Sequence, residues 1–110
     1  DSHNIIVAGV SDSDMTVAVN RLKELRGGMV VVADGKIISE LALPIGGLMT
    51  FLPAEETADQ INRLRSAAHA LGVNKNIDPF MTLSFASLPV IPSLRLTTLG
   101  VFDVNQFKLI

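Results

Sequence analysis

Residues 27–41 read Gly-Gly-Met-Val-Val-Val-Ala-Asp-Gly-Lys-Ile-Ile-Ser-Glu-Leu. An apolar run of strand length, then Asp34-Gly35, then a second strand-like run is the pattern of a β-hairpin, because Asp-Gly tolerates positive φ at both turn positions. Upstream, Met15, Ala18, Val19, Leu22 and Leu25 recur at three-and-four spacing. That spacing puts them on one face of a helix. Ser11 and Asp14 have capping-box spacing at its start, and Gly27-Gly28 supplies the left-handed residue that stops it. Further upstream, residues 5–10 (Ile-Ile-Val-Ala-Gly-Val) are apolar on both faces. They are expected to form a first strand covered on both sides.

Downstream of the hairpin, residues 43–52 contain Pro44 and Gly46-Gly47 and are expected as a partly buried loop. Pro53, Glu55 and Glu56 suit the start of a second helix over residues 54–71, with Arg63, Arg65 and His69 toward its negative end. Its inner side is expected to hold Ala54, Ala58, Ile61, Leu64, Ala68 and Leu71. Pro79, Pro89 and Pro92 cut the next segment short, so residues 81–88 suit a short helix or a strand. Residues 95–97 and 107–110 read as short strands joined near Gly100, with residues 101–104 between them. The expected class is α+β, a mixed or antiparallel sheet with helices packed on one face, in a single domain over residues 1–110.

Composition narrows the function. Nine Lys and Arg stand against eleven Asp and Glu, a net charge of -2 with no like-charge block. Such a chain lacks the basic footprint that nucleic acid or an anionic membrane surface demands. Neither is expected as a partner. Cysteine is absent, which removes disulfides and thiolate metal sites and suits a reducing cytoplasm. Apolar residues reach 48%, with a mean hydropathy of +0.42. A small domain buries a limited share of its surface, so this excess is expected to meet something beyond the chain. The chain lacks Met at its start and enters apolar sequence at Ile5, as a chain does when an upstream part has been removed.

Few residues offer chemistry. The two histidines, His3 and His69, fall in different elements, and no His-x-His or His-Glu-x-x-His is present. No metal site is expected within the chain. His69 suits a surface role at a helix end. Asp1, Ser2, His3 and Asn4 are four hydrogen-bonding side chains before an apolar run, a position from which a cleft can be reached. An imidazole flanked there by a carboxylate is able to shuttle protons, although a solvated turn explains the same residues. Thr82 and Ser84 have no base nearby in sequence and suit hydroxyls bonded to backbone, and Phe80, Met81 and Phe85 suit a core.

Several motifs together go further. Residues 1–7 leading to Gly9, Met15 with residues 18–22, residues 27–32, Asp34-Gly35-Lys36, Leu43-Pro44-Ile45-Gly46-Gly47-Leu48-Met49, Asp78-Pro79-Phe80-Met81-Thr82-Leu83-Ser84-Phe85 and Leu88-Pro89-Val90-Ile91-Pro92 resemble the C-terminal domain of bacterial adenine deaminases of the amidohydrolase superfamily. The resemblance covers nearly the whole chain. It implies hydrolysis of adenine to hypoxanthine and ammonia in purine salvage, carried out by a two-metal (β/α) barrel using manganese or iron. The barrel's histidine ligands and catalytic aspartate have no counterpart here, so the isolated chain is expected to be inactive. In that setting His3 is the candidate hydrogen-bond partner or proton shuttle, with Asp1, Ser2 and Asn4 as substrate-binding candidates. The upstream barrel is the expected partner, and a homo-oligomer is expected. The alternative is a non-catalytic interaction or small-ligand-binding module.

Overall fold

The computed structural model describes residues 4–110. Its elements in chain order are α1 (Asp12–Leu25), β1 (Gly28–Ala33), β2 (Lys36–Ala42), α2 (Ala54–Ala70), α3 (Pro79–Phe85), β3 (Leu94–Thr97), β4 (Gly100–Asp103) and β5 (Lys108–Leu109). β1 and β2 form one antiparallel pair, and β3, β4 and β5 form a separate antiparallel meander. The α+β class stands.

The hairpin forms as its turn dipeptide dictates. Asp34 at φ 51° and Gly35 at φ 73° both take the left-handed conformation that two-residue hairpin turns require. Register runs from Gly28 opposite Ala42 to Ala33 opposite Lys36, with a bulge between Val31 and Val32. Helix α1 is capped by Ser11, whose hydroxyl accepts from the Asp14 N–H at 3.3 Å. Its stop falls one residue earlier than expected, because Arg26 itself takes the left-handed conformation at φ 60°. Gly27 is needed for a different reason. A side chain there would lie 2.5 Å from the Gly47 Cα, so the chain leaving α1 and the loop after β2 cross at bare backbone.

Two helices clamp the hairpin, and they do so from opposite sides. Glu40 receives Arg21 of α1, whereas Leu41 packs with Leu64 and Ala68 of α2. Neighbouring residues of a strand point to opposite faces, so α1 and α2 form separate layers. Helices on one face only, the simpler expectation, would have left either Glu40 or Leu41 facing solvent. Val31, Leu41, Leu64 and Ala68 form the core, with Leu64 fully buried and Leu41 1% exposed. On α2 the inner side narrows to Ile61, Leu64, Ala67 and Ala68. Ala54, Ala58 and Leu71, expected inward, are exposed.

The expected first strand is not one. Residues 5–10 belong to no helix or strand and pair with no other backbone among the described residues. Ile5, Val7 and Val10 are exposed. Apolar character favours burial, but a strand also needs a neighbour to satisfy its N–H and C=O groups. No described strand lies against this stretch. The loop after β2 is less buried than expected: an Ile45–Met49 bridge pins its turn, yet Leu48, Met49 and Phe51 are exposed, Phe51 at 83%. In the last third the helix alternative prevails, because Asp78 caps α3 and Pro79 opens its first turn. Phe80 packs against the core as expected, while Met81 and Phe85 are exposed.

Leu64→Ala tests the clamp. Removing a fully buried Leu side chain is expected to cost about 2–5 kcal/mol, read as a lower midpoint of this domain's unfolding in urea, whereas Leu99→Ala on the exposed surface is expected to shift it by less than about 0.5 kcal/mol.

Candidate functional site

Polar anchors position the surfaces around the hairpin. Arg21 spans α1 to β2 with two parallel hydrogen bonds, Nε to one Glu40 oxygen at 2.7 Å and Nη2 to the other at 2.8 Å. Its Nη1 also reaches Glu24 at 2.8 Å. This fork-on-carboxylate geometry is the strong form of an ion pair. Hydrogen bonding by Arg21 lowers the Glu40 pKa, and the bonds to Glu40 and then Glu24 raise that of Arg21. Asp14, in the first turn of α1, accepts the Gly35 N–H at 2.7 Å and ties that helix to the hairpin tip.

A second anchor fixes α3. One Asp78 oxygen accepts the Phe80 and Met81 N–H groups, each at 3.0 Å. The other meets Arg65 of α2 at 2.5 Å. The Met81 N–H, foremost, and Arg65 hold the Asp78 carboxyl below its ordinary value. The sequence reading placed a break near Pro79 and missed this cap. Asp immediately before Pro, with two free helical N–H groups beyond, is the pattern that carries it.

Side chains that offer nucleophiles or bases are tied to backbone. Ser84 Oγ donates to the Met81 carbonyl at 2.7 Å, and Ser87 Oγ to the Ser84 carbonyl at 3.2 Å. His69 Nε2 lies 3.1 Å from the Ile77 carbonyl, tethering the loop after α2. These contacts assemble no nucleophile–base pair. Among the described residues no group of three His, Cys, Asp or Glu side chains is placed to hold a metal ion. Of the candidate cluster, Asp1, Ser2 and His3 lie outside the described residues, and Asn4 is exposed at a bend.

Concave surfaces remain. A shallow one of about 580 Å³, polar and apolar in equal measure, is lined by Ile38 and Ser39 of β2 and by Asp59, Asn62, Arg63, Ser66 and Ala67 of α2. A deeper, mostly apolar cleft of about 810 Å³ lies between residues 7–11, α1, β1, α2 and α3. Asn4 stands three residues before the cleft wall begins at Val7. Beyond the clefts, much apolar surface is open, Phe51, Leu99 and Phe107 being the clearest cases. The buried apolar residues are only Ala18, Val31, Leu41, Leu64 and Ala68 among those described. So small a core, under so apolar a surface, is the geometry of a domain that packs against more protein. No helix among the described residues is long and apolar enough to cross a membrane.

Comparison with known proteins agrees with this geometry. The family model described as the adenine deaminase C-terminal domain matches residues 1–108. All 110 residues align, at 50% identity, with adenine deaminase 2 of Carboxydothermus hydrogenoformans. Adenine deaminase 1 of Rhizobium meliloti is 53% identical over the same 110 residues, and an adenine deaminase of Shewanella halifaxensis is 48% identical. The chain covers 19% of each of these relatives.

The two depressed carboxylates predict how the anchors respond to acid. Their contribution is complete above the ordinary carboxylate range near pH ~4 and is lost as pH falls through the lower native values. The double variant Glu40→Gln, Asp78→Asn is therefore expected to be less stable than the parent at neutral pH. Its unfolding midpoint is also expected to fall less steeply on acidification, a difference that thermal unfolding across the acid range measures.

Proposed function

The chain belongs to the adenine deaminase C-terminal domain family, and on that premise we propose that it serves an enzyme hydrolysing adenine to hypoxanthine and ammonia in purine salvage. The family match over residues 1–108 carries this reading. The domain's task is to pack against a metal-dependent catalytic barrel in the same polypeptide, and the open apolar surface supports that task. The same surface supports assembly into a homo-oligomer. A cytoplasmic setting suits a cysteine-free chain held by packing alone.

The described residues do not fit a metal pair, since no three ligating side chains converge. The manganese or iron pair is assigned in this reading to ligands elsewhere in the parent polypeptide. This chain's own contribution to the purine pocket is the segment Asp1, Ser2, His3 and Asn4. His3 acts there as hydrogen-bond partner or proton shuttle, roles that imidazole chemistry suits. Supporting this is the exposure of Asn4, next to His3 in sequence.

The test uses the full-length protein loaded with manganese or iron, following ammonia release and the ultraviolet change of adenine. His3→Ala is expected to lower kcat/KM about 100-fold and to change the limb of the pH profile near the imidazole pKa, with metal content and unfolding midpoint unchanged. An unaltered kcat/KM removes His3 from the pocket. Absence of turnover by folded, metal-loaded parent overturns the adenine reading in favour of a non-catalytic interaction module.

A control variant locates the metal ligands. His69→Ala is expected to leave the metal content per subunit unchanged, because the His69 ring is committed to the Ile77 carbonyl. A fall of about 10-fold or more in metal affinity, the order that even loss of a ligand's hydrogen-bond partner causes, would put a ligand in this chain.

A further inference from the structure

The hairpin leaves backbone groups unused at one edge. Leu43 N–H donates to the Gly27 carbonyl at 3.0 Å, extending the ladder that pairs Gly28 with Ala42 and Met29 with Leu41. Facing residues of an antiparallel ladder alternate between those that exchange bonds and those whose N–H and C=O point away. Counting from Gly27, residues 29 and 31 bond to β2. Val30 and Val32 turn their backbone groups to the other edge, where no described residue meets them.

The deep cleft runs along that edge. Every residue from 30 to 34 lines it, and so does every residue from 7 to 11. Successive side chains of a strand alternate between faces, so a cavity over one face meets every second residue. A cavity that meets each residue in turn lies beside the strand. Its other walls are Met15 and Ala18 from the α1 layer and Ala68 and Phe80 from the α2 and α3 side. The cleft is thus a slot one layer deep, held between the two helical layers in the plane of the sheet. Its far wall, in turn, is made by part of the apolar stretch of residues 5–10, whose backbone has no partner among the described residues.

We propose that this slot receives a β-strand from the part of the parent polypeptide outside these 110 residues, bonded to Val30 and Val32 on one side and to residues 5–10 on the other. The curated relatives are about five times as long as this chain, which covers 19% of them, so the same polypeptide has ample length to supply it. Because apolar walls face the slot from both layers, the incoming segment is apolar on both faces, as buried central strands are. About five residues, at ~3.3 Å each, run the length of β1. A second copy is the poorer occupant. Its own β1 edge lies between its own helices, and a slot already walled on four sides admits a single strand but not a clamped hairpin.

This proposal rests on the slot and on family membership, and a parent protein inactive toward adenine would leave it standing. The test is amide hydrogen exchange in the full-length protein at single-residue resolution, together with a cryo-EM or crystal structure of that protein. The Val30 and Val32 amides and those within residues 5–10 that face the slot are expected to exchange at least about 1,000-fold more slowly than in an unstructured chain, with a strand of the same polypeptide seen between them. Exchange within about tenfold of the unstructured rate overturns the proposal. So does a slot filled by a second copy, or closed by residues 5–10 pairing directly with β1.

Discussion

A two-stranded ribbon cannot hold itself together in water, and that limit governs the rest of this structure. The β1–β2 hairpin survives because its two faces are covered by different helices. On one, Leu41 and Val31 disappear beneath Leu64 and Ala68. On the other, Arg21 grips Glu40 with a two-point ion pair. Turn and helix are joined again where Asp14 accepts the Gly35 N–H. The apolar side uses non-directional burial, and the polar side adds geometry that a slip by one residue would destroy, because Glu40 would exchange faces with Leu41.

Such an arrangement leaves much undone. A core of a few aliphatic side chains sits under a surface on which Phe51, Leu99 and Phe107 stand open. The one edge of β1 that β2 does not cover is open as well, beside a slot as deep as a single layer of sheet. Both features support the proposal that neighbouring protein completes the domain. Among the described residues no three metal-ligating side chains converge. Ser84, Ser87 and His69 are occupied with backbone carbonyls, and Arg21, Glu40, Arg65 and Asp78 hold helices in place.

Local chemistry was legible at the hairpin turn and at the starts of α1 and α2. Asp34-Gly35 announced the turn, Ser11 the cap of α1, and Pro53 with the acidic residues after it the start of α2, since each effect is decided by neighbours along the chain. Apolar character misled at residues 5–10. It reports that burial is favourable and says nothing of where a strand's hydrogen-bonding partner will be. The Asp78 cap is harder to read, because Pro79 in sequence signals a break and the Arg65 contact joins α2 to the cap of α3.

What this sequence determined alone is α1, the β1–β2 hairpin, α2 and the family, because their caps, turns, periodicity and motif identity are written in adjacent residues. The tertiary structure decided the rest. Glu40 and Leu41 are neighbours in sequence, yet only the packed fold shows that one belongs to the α1 layer and the other to the α2 layer. Likewise, an open edge and the slot beside it exist only once β1, two helical layers and residues 7–11 have been brought together. Such juxtapositions depend on which distant surfaces exclude water from one another, a choice made by the whole fold.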